Sequence, residues 1–272
     1  MSAFHFTRLV NNRKERYSSL GQVMNNPGGL DSESWLLVGP HDDDVCLGAG
    51  LWLQAARQAG VAVRVLIVTD GRMGYCALEQ RERIVQIRQA EALASFEILG
   101  LDPAQVTFLG YPDNDLFTRQ GRRQARAGEA TIAGYTGLQN AFTAHLRQIR
   151  PQRAFLPAPS DLHPDHQITY NEFMISVFHA AGAIWPELGQ PLSAPPLVYE
   201  MAIYCDFDSP PNLELKADQS ALERKLESIA AYRSQAQIEG VVAHIRQSGP
   251  YEYLREFVFP QYSPDRYKSR FA

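Results

Sequence analysis

Trp35-Leu36-Leu37-Val38-Gly39-Pro40-His41-Asp42-Asp43-Asp44 decides how the rest of the chain is read. Four apolar residues closed by Gly-Pro have the unbroken pattern of a short strand buried on both faces, as in a parallel sheet. Residues from Val45 onward read as a helix. His41 to Asp44 therefore fall on the loop at the strand's carboxyl end, where open α/β sheets place their sites. An imidazole and carboxylates converging there suit a hard or borderline divalent metal, zinc with mixed nitrogen and oxygen ligands first.

Working outward, the same alternation repeats. A helix over 49–59 ends at Gly60, and residues 61–68 form a second apolar strand that runs into Thr69-Asp70-Gly71. Apolar residues at helical spacing mark 81–99, with Gly100 as its stop. Strands are expected at 106–109 and 153–156, a helix over 137–149 between them, and a further helix over 167–179. The order strand, loop, helix predicts a Rossmann-like α/β fold, a mostly parallel sheet flanked by helices. C-terminal additions come after it, with a strand near 197–203 and a charged helix over 218–233 that Asp218 caps. The domain expectation is a surface arm over 1–30, rich in Asn and Gly, and one domain over 31–272 with a basic insertion at about 118–136. The tail over 251–272 has no assignment.

A second loop bears on the first. Asp161-Leu162-His163-Pro164-Asp165-His166 also follows a predicted strand and should reach the same edge of the sheet. One histidine is suited to bind metal and the other to face the substrate, with Asp165 or Asp161 holding an imidazole in one tautomer. Two His and one Asp make a three-ligand site with an open position, the catalytic form of zinc rather than the structural one.

Composition narrows the classes. The formal net charge of −4 over 272 residues points to no nucleic-acid partner and no anionic membrane surface. No stretch approaches a membrane span and the N-terminus lacks the pattern of a signal peptide, so the expectation is a cytoplasmic protein without stable membrane insertion. Cys46, Cys76 and Cys205 are odd in number and widely spaced, which argues against a disulfide framework or thiolate zinc and for buried free thiols. No G-x-G-x-x-G follows the first strand, so a dinucleotide has no cradle.

The two loops together resemble the PIG-L/LmbE-like zinc-dependent N-deacetylases, which carry a His-Pro-Asp-Asp loop after the first strand and a His-Pro-Asp-His loop later. Thr69-Asp70-Gly71, Arg88-Gln89-Ala90-Glu91, Leu109-Gly110-Tyr111-Pro112-Asp113 and Lys225 with Tyr232-Arg233-Ser234-Gln235 are similar to further family segments. The resemblance implies His41, Asp44 and His166 as zinc ligands, with another divalent metal also open, Asp43 as general base, and His163 as the oxyanion donor. It gives Arg88 and Asp113 to the substrate. Two positions depart from the pattern: Asp42 stands where the family usually has Pro, and Val45-Cys46 replaces an acidic residue.

The resemblance implies a hydrolase that removes an N-acetyl group from an N-acetylglucosamine-type amino sugar or its conjugate. The alternatives are an amidase of the same fold that cleaves a larger N-acyl or thiol conjugate, and a non-catalytic sugar-binding module. The partner is a small-molecule amino sugar, anionic or conjugated, and a homo-oligomer stays open. Arg119, Arg122, Arg123 and Arg126 in the insertion are either a solvated loop or a flap that meets an anionic substrate. Tyr111, Tyr135 and Trp185 are candidates for a stacking surface.

Overall fold

In the strand Ser34–Gly39, Trp35 and Leu37 enter one hydrophobic core while Leu36 and Val38 enter another. Side chains alternate across a strand, so a strand apolar at every position needs cover on both faces. The rest of the fold supplies it.

The computed structural model describes residues 3–259 and 262–271. The chain opens with strands β1 (Phe4–Val10) and β2 (Arg13–Tyr17) and the one-turn helix α1 (Leu20–Val23). Next come β3 (Ser34–Gly39), α2 (Asp44–Gln58), β4 (Ala62–Thr69), α3 (Ile84–Ile98) and β5 (Val106–Tyr111). A two-residue ribbon, β6 (Arg123–Gln124) and β7 (Tyr135–Thr136), precedes α4 (Leu138–Ile149), β8 (Arg153–Pro157), α5 (Pro164–Ala181) and β9 (Leu197–Met201). The chain continues through β10 (Leu213–Ala217), α6 (Gln219–Ala230), α7 (Ile238–Ser248), β11 (Tyr251–Phe257) and α8 (Asp265–Phe271).

Among the described residues, nine strands form one sheet in the order β2-β1-β10-β11-β9-β8-β3-β4-β5. From β9 to β5 the neighbours are parallel, and from β2 to β9 they are antiparallel. The sheet is thus the expected mostly parallel α/β core with an antiparallel extension. Phe142, Leu146, Phe173 and Val177 of α4 and α5 fill the core on one face, whereas Trp52, Leu53, Phe96 and Ile229 of α2, α3 and α6 fill the other. From β3 the chain moves outward through β4 to β5, then returns to β8 on the other side of β3. That reversal is the topological switch point, and the crevice at its carboxyl edge is where such sheets bind ligands.

Three expectations are corrected. Residues 4–24 are no surface arm, because β1 pairs with β10 from Phe4↔Ala217 to Arg8↔Leu213, and Phe4, Phe6, Leu20, Val23 and Met24 are buried. The unassigned tail contains β11, which lies between β10 and β9 with Leu254 paired to both Leu213 and Met201; of that tail, residues 260, 261 and 272 lie outside the described residues. Of the three free thiols only Cys46 is buried, while Cys76 is exposed and Cys205 is half-buried.

Helix α2 is broken at Ala49 (φ −144°, ψ 22°). The amides freed by the break are not wasted in the core: Leu51 and Trp52 N–H donate to the Glu252 carboxylate, and Lys225 Nζ donates to Leu47 O and to Glu252. A buried ion pair from the C-terminal half therefore holds the first turn of α2 at its own angle. That turn carries Asp44.

Candidate active site

The loops after β3, β4, β5, β8 and β9 meet at one end of the parallel half of the sheet. Asp44, at the first position of α2, is fully buried and accepts the His41 N–H at 2.7 Å, which closes the loop on itself. Asp43 holds the N-cap position but makes no side-chain cap bond. An aspartate at an N-cap normally accepts from an amide of the first turn. Here the carboxylate points elsewhere, and Asp43 Oδ1 is buried without a hydrogen-bond partner.

His41 Nδ1, His166 Nε2 and Asp44 Oδ2 form a near-equilateral triangle with sides of 3.2, 3.3 and 3.4 Å. The far nitrogens of both rings face carboxylates: His41 Nε2 lies 3.3 Å from Asp113 Oδ1 and 3.7 Å from Asp165 Oδ2, and His166 Nδ1 lies 3.1 Å from Asp161 Oδ2. Each carboxylate favours a proton on the nitrogen it faces, which turns a bare lone pair into the triangle. With the ring protons turned outward, the two inward nitrogens and Asp44 Oδ2 are acceptors that a cation would satisfy together. Ligand bonds of about 2.0–2.1 Å at tetrahedral angles have ligand-to-ligand edges of about 3.3 Å, so the triangle fits a tetrahedral divalent ion such as zinc. His163 stands beside it, its ring centroid 4.5 Å from that of His41, and the rings of His41, His163 and His166 also lie close enough to share an ion.

The electrostatics favour positive charge at this point. Burial pushes the His41 and His166 pKa values down, yet Asp44, together with Asp113 at His41, drives both above the ordinary imidazole value. Burial raises Asp44, but the two imidazoles outweigh it and hold that carboxyl well below the usual range. Asp43 is raised, mainly by burial, with Asp44 adding to the rise and Arg88 opposing it. Neighbouring carboxylates are thus kept apart in proton affinity, one poised to bind a cation and the other to take a proton.

His163 occupies the N-cap of α5. Its Nδ1 accepts the Asp165 N–H at 3.2 Å, so in the neutral ring the proton sits on Nε2, free to donate. Burial and the neighbouring imidazoles lower its pKa.

The structure brings His41, Asp43, Asp44, Asp161, His163, Asp165 and His166 together. Arg88 and Asp113 join them, in other surroundings than substrate contact alone: Asp113 backs His41 and accepts the Met73 N–H at 3.1 Å, and Arg88 is buried against Asp42. Two roles escaped the sequence, although Tyr232 lies in a segment that resembles the family. Tyr204, on the loop after β9, stacks on His166 at 4.9 Å and 25° with half its surface exposed, and its amide donates to Asp161 Oδ2. Tyr232 Oη donates to Asp42 O at 2.5 Å from beyond α6. Neither contact is written in a local pattern, because the partners lie far away in the chain. In the insertion, Arg119 and Arg123 pair with Glu129, and Arg122 pairs with Glu187 between the rings of Tyr135 and Trp185. Arg119 and Arg123 stay partly exposed in these pairs and Arg126 is exposed, as a solvated loop would have them, while Arg122 is packed between the two rings.

Known proteins resemble the chain in both sequence and fold. The family model described as PIG-L, GlcNAc-PI de-N-acetylase, matches residues 36–177, just over half of the chain and both metal-facing loops. A diacetylchitobiose deacetylase of Thermococcus kodakarensis is 27% identical over 165 residues, 58% of this chain and 55% of that protein, so the match spans about half the length of this curated relative. Among solved structures, the N,N'-diacetylchitobiose deacetylase of Pyrococcus horikoshii has a TM-score of 0.68 at 22% identity, covering 92% of this chain and 98% of its own. GalB, the 4-carboxy-2-hydroxymuconate hydratase of Pseudomonas putida KT2440, has a TM-score of 0.65 at 19% identity, covering 85% and 98%. Such a spread of reactions means that the fold alone does not name the chemistry. The matched segment runs from β3 into α5, through every residue of the metal-facing triangle, and on that ground the chain belongs to the PIG-L, GlcNAc-PI de-N-acetylase, family.

Proposed function

We propose that this protein is a zinc-dependent N-deacetylase that hydrolyses the acetamide of an N-acetylglucosamine-type sugar or its conjugate. One observation carries the reading: a triangle of buried acceptors that fits a divalent ion, with the Asp43 carboxylate, whose Oδ1 makes no hydrogen bond, beside it. His41, Asp44 and His166 would hold the ion, which supplies Lewis acidity towards water and the amide carbonyl. Asp43 takes the proton of the attacking water, its raised proton affinity suiting a base that must later release that proton. The Nε2–H of His163 donates to the former carbonyl oxygen as negative charge develops there. As the C–N bond breaks, the proton held by Asp43 passes to the leaving amine, and acetate remains.

Acetate release from a panel of N-acetyl amino sugars, with and without added zinc, tests the reading. Zinc-dependent release that Asp43→Ala abolishes is the expected result. A protein that binds no zinc and releases no acetate would leave the sugar-binding module in its place.

The exposed side chains of Met73, Leu162 and Tyr204, each adjoining a site residue, favour a second version in which the acyl group or the aglycone is larger and apolar. Rates for acetyl against longer acyl groups on one sugar separate the two.

A further inference from the structure

The position that departs from the family pattern, Asp42, holds a cation from the chain itself. Asp42 is buried and receives the Arg88 guanidinium side-on: Nε lies 2.9 Å from both carboxylate oxygens, and Nη2 also donates to Oδ1. A guanidinium held this way has a fixed plane. The same Nη2 lies 3.4 Å from Asp43 Oδ1, the oxygen that has no hydrogen-bond partner.

Two glycines pack closely against the Arg88 guanidinium. A Cβ added to Gly74 would lie 2.6 Å from Arg88 Nη1, and one added to Gly71 would lie 3.1 Å from Nε, so glycine at both places is what lets the guanidinium in. Gln235 Nε2 holds the Gly74 carbonyl, and Tyr232 Oη holds the Asp42 carbonyl. Four separate segments thus converge on one ion pair.

We infer that Asp42 and Arg88 act as a positioning pair for Asp43: Asp42 fixes the guanidinium, and the guanidinium in turn fixes the direction of the carboxylate of the base. The inference rests on the reading of Asp43 as the base. Neither residue need touch the substrate. A base has to lie within hydrogen-bond reach of the proton it removes, and the Asp43 carboxylate has no cap bond to hold that direction, which leaves the guanidinium beside Oδ1 to set it.

The test uses the full chain loaded with zinc, in wild-type form and as Asp42→Ala, Arg88→Lys, Gly74→Ala and the double variant Asp42→Ala/Arg88→Ala. Gly74→Ala removes no charge and displaces the guanidinium only by its methyl group. Expected is a fall of about tenfold or more in kcat for each single variant, KM within about twofold, unchanged zinc stoichiometry, and a double variant no slower than the slower single one. A rise in KM without a fall in kcat assigns Arg88 to the substrate and overturns the inference, as does full activity of Asp42→Ala. Crystal structures of wild type and Asp42→Ala give a readout independent of turnover: the Asp43 carboxylate is expected to rotate in the variant, and an unmoved carboxylate overturns the pair's role. Absence of acetate release by the wild type would instead count against the deacetylase reading and leave that structural comparison decisive.

Discussion

His166 Nε2 lies 3.2 Å from His41 Nδ1, and both nitrogens lie within 3.4 Å of Asp44 Oδ2. With the ring protons held outward by Asp113 and Asp161, two inward lone pairs this close repel, and a cation between them would relieve that repulsion.

Ligand and base variants should therefore fail in different ways. His41→Ala and Asp44→Ala are expected to lose zinc and turnover together. Asp43→Ala is expected to keep zinc and lose turnover by about 10²–10⁴-fold, the span typical of general acid-base catalysis. Metal analysis of the purified variants beside their kcat decides it, and a fully active Asp43→Ala sinks the assignment.

The carboxylates behind the two imidazoles make a second distinction. Asp161 faces His166 Nδ1 and Asp113 faces His41 Nε2. Loss of such an outer partner typically weakens metal affinity about 10–100-fold. Competition with a chelator should show that loss in Asp161→Asn and in Asp113→Asn. If Asp113→Asn raises KM and leaves zinc affinity intact, its part is substrate contact instead.

Tyr204 shows one ring face to His166 and exposes the rest. Replacement by Ala is predicted to raise KM about fivefold, from a stacking contribution of about 1 kcal/mol, while Tyr204→Phe stays near wild type. Equal KM values for both variants and wild type would leave the ring as packing only.

Far from the site, Glu33 accepts from Arg153, Trp35 and Asn26 at the other end of the sheet. Burial raises its pKa, but these donors outweigh burial and the net shift is downward. The folded form thus holds fewer protons at Glu33 than the unfolded chain does between the two pKa values. Its contribution to stability is present above the unfolded value of about 4.3 and is lost as pH falls through the lower folded one. Denaturant unfolding of wild type and Glu33→Gln between pH 7 and 3 should show a gap that narrows only below about pH 4. A gap independent of pH would rule this out.

Much of the site was legible in the chain because its members sit in two short loops, each directly after an apolar strand. Local pattern suffices to place His41, Asp43, Asp44, His163 and His166 at strand ends, and parallel pairing then brings those ends to one edge. Arg88 was legible as a residue but not as a partner of Asp42, 46 positions away. Nothing in the order of residues told that Asp42 would turn inward.

The sequence by itself determined the alternation of strands and helices, the edge at which the polar loops gather, and the chemical kind of the site. Tertiary structure alone decided which carboxylate stands behind which imidazole, that β1 and β11 enter the sheet, and that a pair from the C-terminal half, Lys225 and Glu252, seats the turn that carries Asp44. The physical reason is range. Hydrophobic period and turn chemistry are written in neighbouring residues, whereas an ion pair or a strand register depends on groups that only the folded chain brings within a few ångströms.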